Sequence, residues 1–363
     1  MTQPIKKLIK SALEDRVFPG GVLLASKRGE MIVQETFGKT GFDNKIVVNL
    51  DTIYDLASLT KPLAMTLAVM HLMAASSLRL DQTLGDLLPA CSGTEKAGIA
   101  VEHLLAHCSG LPDYRPYWKE LTGNTALERG ADLKARLVHE PLEYPISSRT
   151  VYSDLGFMFL RWVVEQVSGM QMSLLVEKEI YGPLGIKDLF FPDAGGLTTD
   201  RFAPTEMCAW RKRLVQGVVH DENAYAVGGV DGHAGLFGTA SAVHGLLWKI
   251  LCAYRDTAYV GVLPQDLVQR FLNYDKGGER ALGFDRPTQP GSSSGRYFSQ
   301  NSVGHLGFTG TSFWMDLEQA VIVVLLTNRV HPTRENEKIK IFRPAIHDAV
   351  MESIVNVKDL QRY

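Results

Sequence analysis

The chain has 363 residues, of which 45% are hydrophobic and 21% charged, with a formal net charge of -2 at pH 7. That length can bury one large core or two intimate ones, and the near-balanced charge offers no general attraction for nucleic acid or an anionic lipid surface. Four widely spaced cysteines, Cys91, Cys108, Cys208 and Cys252, form no C-x-x-C pair, which argues against a zinc knuckle, a redox dithiol or a disulfide framework.

In chain order, residues 4–16 read as an amphipathic helix. Its lysines lead into further charged residues, without the apolar core and small-residue cleavage site of a secretory signal, so a soluble, cytoplasmic protein is expected. After Pro19-Gly20-Gly21, two strand-like runs, 22–26 and 31–36, flank the turn Lys27-Arg28-Gly29-Glu30 and predict a β-hairpin. From Ser58 to Ala75 the apolar residues continue almost unbroken, which predicts a buried helix. The stretch 62–75 is too short to cross a membrane and contains His71. Helical patterns then recur at 101–107, 131–139, 155–168 and 173–180, punctuated by Pro/Gly loops. Arg211-Lys212-Arg213 is too short for a phosphate-binding stripe and reads as a solvated loop. Past Gly228 come a short strand at 235–238, a helix over 240–254, a hairpin of 311–315 and 320–327 around Asp316-Leu317-Glu318-Gln319, and a closing helix over 343–354. Strands at both ends around a helical middle predict an α+β fold. Residues 1–79 and 211–363 would supply an antiparallel sheet flanked by helices, and 80–210 an inserted, mostly helical region.

Chemistry concentrates at Ser58-Leu59-Thr60-Lys61. A serine hydroxyl attacks only once a base takes its proton, and a lysine amine three residues on, at the start of a helix, faces the same site. The helix N-terminus favours negative charge developing there, and Pro62 suits a first turn. Alone, S-x-x-K is a common pattern. Here it is followed in order by VEHLLAHCSGLP at 101–112, Tyr152-Ser153-Asp154-Leu155-Gly156-Phe157, Tyr181-Gly182-Pro183-Leu184-Gly185-Ile186, Gly232-His233-Ala234-Gly235-Leu236-Phe237 and Gly304-His305-Leu306-Gly307-Phe308. Over nearly its whole length the sequence resembles the penicillin-binding, class C β-lactamase-like family of serine hydrolases.

The resemblance implies a β-lactamase/transpeptidase-like fold, no cofactor, and attack by Ser58 on an ester or amide. The substrate would be a small molecule or peptide cleaved by an esterase, D-peptidase or β-lactamase type of activity. It makes Tyr152 the proton partner of Lys61, with Ser153 a second register because Ser153-Asp154 resembles the start of the Ser-Asp-Asn box of class A relatives. His305-Leu306-Gly307 stands where the family has its third box, and the oxyanion donors would be the N–H groups of Ser58 and Phe308. Two positions depart from the pattern. Asp154 replaces an Asn that helps grip the substrate amide and would hold Lys61 charged; Leu306 replaces a Thr hydroxyl. Both departures, with the missing export signal, point away from penicillin and towards an intracellular esterase or peptidase-like hydrolase acting on cell-wall fragments. The alternative is a protein that uses this fold for binding or sensing without catalysis. The oligomeric state is left open.

Other motifs compete weakly. Lys39-Thr40-Gly41 precedes the nucleophile, and Gly291-Ser292-Ser293-Ser294-Gly295 lacks the strand and helix of a nucleophile elbow. His103 and His107 read as packed structural residues. His220-Asp221-Glu222 and Asp231-Gly232-His233 read as loops shaping the pocket rim rather than as a metal site. Arg329 and His331 read as solvated surface, with contact to a substrate carboxylate as the alternative.

Overall fold

Apolar strand-forming runs at the two chain ends create one sheet in the computed structural model, which describes residues 2–192, 199–255, 261–275, 280–288 and 290–354. The N-terminal hairpin is β1 (Gly20–Lys27) and β2 (Glu30–Gly38). The C-terminal part adds β3 (Arg280–Ala281), β4 (Phe284–Asp285), β5 (Ser302–Leu306), β6 (Ser312–Asp316) and β7 (Val321–Thr327). The order across this seven-stranded sheet is β2-β1-β7-β6-β5-β4-β3, and its pairs are antiparallel. β1 meets β7 with Gly21 opposite Thr327 and Lys27 opposite Val321.

β1 and β7 are nearly continuous apolar runs because both of their faces are covered. Leu23, Ala25, Val321, Val323 and Leu325 face α1 (Gln3–Glu14) and the C-terminal helix, packing with Ile5, Ile9, Phe342 and Ile346. Val22, Leu24, Ile322, Val324 and Leu326 belong to the larger core, which includes α2 (Thr66–Ala74), α3 (Asp154–Ser168) and α4 (Ala240–Arg255). The closing helix, α5, spans Ile339–Ile354. That larger core runs without interruption from Val22 through Leu104 and Phe159 to Leu326, so the helical middle of the chain and the sheet share it.

Several elements differ from the sequence reading for local reasons. The helix expected at 131–139 starts at Ala126, because Thr125 and Glu128 form a capping box. The one expected at 101–107 stops at Leu105, and His107 takes a left-handed backbone with φ 57°. The helix expected at 173–180 is a short α turn followed by a π-helical turn over Val176–Tyr181. The solvated basic loop is corrected at Arg211: its guanidinium donates to the carbonyls of Val219, His220 and Asp221 and lies 4.0 Å over the Tyr225 ring. No described helix is long and apolar enough to cross a membrane.

Candidate active site

Ser58 sits at the mouth of a buried helical run. A 3-10 turn, Ala57–Leu59, is followed by a π-helical turn, Lys61–Met65, and then by α2. Such widened turns tend to occur where a side chain must be re-aimed. Ala57 has φ 48°, a left-handed conformation unfavourable for a residue with a Cβ, and its N–H is held by Asp55 Oδ1 at 2.9 Å. The other carboxylate oxygen of Asp55 accepts from the His220 N–H at 2.6 Å, so one buried side chain braces both the nucleophile turn and the 220 loop.

Lys61 is fully buried, and its three ammonium protons have three acceptors. Nζ lies 2.6 Å from Asp154 Oδ1, 3.2 Å from Ser58 Oγ and 3.2 Å from the His233 carbonyl. It also sits 4.7 Å above the Tyr152 ring. Burial works to lower the Lys61 pKa, but the Asp154 carboxylate and the Tyr152 phenol outweigh it and hold the amine above its ordinary range. Lys61 is therefore an ammonium that donates to Ser58.

Tyr152 faces this pair. Its ring lies beside the Lys61 ammonium; burial raises its pKa, the lysine charge pulls it back and Asp154 adds to the rise, which leaves the phenol above its ordinary range. Ser153 is turned away: its Oγ donates to the Pro112 carbonyl at 2.6 Å and accepts from the Gly156 N–H, capping α3. The structure thus brings Tyr152, and not Ser153, to Ser58 and Lys61. His305 reaches the cluster from β5, its ring 5.9 Å from that of Tyr152, and burial pushes its pKa down to about 4, which leaves it neutral.

Gly307 and Phe308 follow β5 in a tight loop. A Cβ on Gly307 would lie 2.0 Å from Thr311 Oγ1 and 2.7 Å from the Leu56 carbonyl, so close approach of the chain to itself already requires glycine there. Thr309 and Thr311 donate to the carbonyls of Asp55 and Leu56, lacing this loop to the residues that lead into Ser58. The Phe308 ring is half-exposed, stacked on His220 and 4.5 Å from the Arg329 guanidinium. Arg329 is a correction: it is buried and donates to the carbonyls of Phe308, Arg334 and Asn336 rather than facing solvent. His331 is buried too, against the Thr205 carbonyl.

Two histidines matter more than the sequence suggested. His107 Nδ1 accepts the Ser153 N–H at 2.9 Å, and its ring packs 4.7 Å from Tyr152, fixing the approach to α3. His233 lies beneath Lys61 rather than at the pocket rim. Burial opposes its charge, but Asp221 at 2.9 Å and Asp231 at 3.7 Å prevail and raise its pKa to about 10. His107 read as packed from the sequence and His233 as part of a polar rim loop; what neither reading held was the partner, which lies far along the chain. Among the described residues no group of three or more His, Cys, Asp or Glu is arranged to hold a metal ion.

Residues 5–345 match the family model described as Beta-lactamase. The chain belongs to the beta-lactamase family. This beta-lactamase-family chain is 32% identical over 350 residues to an N-acetylmuramyl-L-alanine amidase of Bacillus subtilis (strain 168), covering 86% of the chain and 78% of that relative. Its fold matches EstCE1, a hydrolase with promiscuous acyltransferase activity, with a TM-score of 0.75, 23% identity and coverage of 96% and 98% of the two chains. It likewise matches a penicillin-binding protein homologue from Caulobacter crescentus, with a TM-score of 0.72, 18% identity and coverage of 95% and 96%. These likenesses bear out the expected α+β, β-lactamase/transpeptidase-like fold and make the chain a member of a serine hydrolase family.

Proposed function

We propose that this protein is a serine amidase that cleaves an amide in peptide fragments of the cell wall, through an acyl-enzyme on Ser58. The observation that carries the reading is Ser58 Oγ at 3.2 Å from Lys61 Nζ, with the Tyr152 ring 4.7 Å from the same ammonium. The amidase name of the Bacillus subtilis relative supports the choice of amide and of fragment.

Because Lys61 already donates to Ser58, it is not the resting base. The proton of Ser58 passes instead to Tyr152 in its phenolate form, reached when the phenol first gives its own proton to solvent, an ion that the adjacent ammonium stabilises. Oγ then bonds to the substrate carbonyl carbon, and the N–H groups of Ser58 and Phe308 receive the oxyanion. Tyr152 returns its proton to the departing amine as the C–N bond breaks. Water gives a proton to the same phenolate and bonds to the acyl carbon; Tyr152 returns that proton to Ser58 Oγ as the Oγ–C bond breaks and the acid leaves. Asp154 presents only oxygens beside Lys61, so it cannot donate to a substrate carbonyl, as an asparagine amide could. This weakens the penicillin reading; esterase activity with small activated esters fits the same site and is the second reading, favoured by the fold likeness to EstCE1.

The test is a substrate panel: an N-acetylmuramyl-L-alanyl peptide, a D-alanyl-D-alanine peptide, p-nitrophenyl esters and nitrocefin. Turnover of the first, with a single fluorophosphonate adduct at Ser58, is expected. Fast nitrocefin hydrolysis with no amidase activity would overturn the proposal, and a folded protein that takes no label would instead favour the binding or sensing alternative.

A further inference from the structure

Arg343 lies on α5, across the sheet from the nucleophile, and is 6% exposed. Its Nη2 donates to two carbonyls, those of Gly307 and Thr311, each at 2.9 Å, and its Nε has no hydrogen-bond partner. Burial and the charge of Arg329 push its pKa down to about 9, and no carboxylate offsets them. A buried cation without a counter-charge is costly to the fold, and an apolar residue at this position would avoid that penalty. The reason for a guanidinium there lies in what it holds.

The Gly307 carbonyl and the Phe308 N–H belong to one peptide unit. A trans peptide is planar, with its C=O and N–H pointing in opposite directions. A donor that fixes the carbonyl towards α5 therefore fixes the N–H towards the opposite side. That side is where Thr309 and Thr311 tie the same loop to the carbonyls of Asp55 and Leu56, just ahead of Ser58. The next carbonyl, of Phe308, is held in turn by Arg329 Nε at 2.9 Å. Two successive peptide planes are thus clamped from behind by arginines.

We propose that Arg343 is a positioning residue for the oxyanion hole, orienting the Gly307–Phe308 peptide so that its N–H faces the carbonyl under attack by Ser58. The inference rests on the Ser58 acyl-enzyme reading. Arg343 touches neither substrate nor Ser58, and acts through the plane of one peptide. Its removal leaves the Gly307 carbonyl held by the Gly310 N–H alone, at 3.1 Å, and so loosens the aim of that peptide, which weakens binding of the transition state more than of the ground state.

The experiment uses the full chain with Arg343→Met, Arg343→Lys and Ser58→Ala, assayed on a p-nitrophenyl ester and on its thionoester, in which sulfur replaces the carbonyl oxygen. Loss of one well-aimed donor predicts a fall in kcat of roughly 10²-fold for Arg343→Met, with KM nearly unchanged. The preference for oxoester over thionoester should shrink with it, because that preference depends on N–H groups set for oxygen. Arg343→Lys keeps the charge but loses the planar fork, and should fall between wild type and Arg343→Met. A merely structural role would lower the melting temperature while the folded fraction kept its kcat and its oxygen preference, and that result overturns the proposal. If Arg343→Met fails to fold, the Lys variant decides alone: an unchanged oxygen preference sinks the idea. Undiminished turnover by Ser58→Ala would overturn the underlying acyl-enzyme reading instead, so the two failures are distinguishable.

Discussion

At the scale of single residues, the feature with the widest consequences is the 2.6 Å contact between Lys61 and Asp154. Asp154 raises the pKa of both Lys61 and Tyr152. Its replacement by Asn should therefore lower the apparent pKa of that coupled pair and move the rising limb of the kcat/KM profile to lower pH. A pH series on a p-nitrophenyl ester checks this, and an unmoved limb would mean that the pair does not generate the base. The neighbouring positions separate cleanly. Tyr152→Phe should reduce kcat by about 10²–10⁴-fold, as expected for loss of a general acid–base group. Ser153→Ala should instead cost about 1 kcal/mol of stability as a lost helix cap, visible in denaturant midpoints, with kcat retained. Ser58, Lys61 and Tyr152 were legible in sequence because each sits within a short ordered motif. His107, His233 and Arg343 were not, since what gives each its place is a partner far along the chain: the Ser153 N–H, the Lys61 ammonium and the Gly307 carbonyl.

Among elements, the loop after β5 and the turn before Ser58 behave as one unit, because threonine hydroxyls join them. Gly307→Ala places a methyl 2.0 Å from Thr311 Oγ1 and must spread this unit. A loss of about 1–3 kcal/mol is expected, the range for overpacking a tight site. A slower rate of Ser58 phosphonylation should accompany it, and equal labelling rates would show that the loop does not shape the site. The segment from Asp221 to His233 is a second unit, joined by an ion pair as well as by packing. The folded pKa of His233, about 10, exceeds that of a free imidazole near 6.5. Its stabilising contribution is thus complete below about pH 6.5 and lost as pH rises through about 10. Thermal unfolding should show a falling melting temperature across that window, and His233→Gln should flatten it. The hairpins were readable from their strand-like runs and the turns between them, whereas β3 and β4 were not. At two residues each they carry no period to read.

For the whole molecule, the sequence conveyed the architecture because the two buried central strands are long apolar runs at opposite ends of the chain. It conveyed less about the middle, where helices as short as Val101–Leu105 are fixed by packing into the common core rather than by their own propensity. The pairing of Gly21 with Thr327 also has a meaning for biosynthesis. Contacts so distant in sequence form late, after the entropy of closing the intervening chain has been overcome. On the ribosome, a nascent chain displays Ser58 long before the residues from Ser302 to Thr327 have emerged, and so without the loop that Thr309 and Thr311 lace to the turn ahead of it. Hydrolytic competence would then begin with the arrival of the last strands, and an incomplete chain would carry the nucleophile yet remain inert.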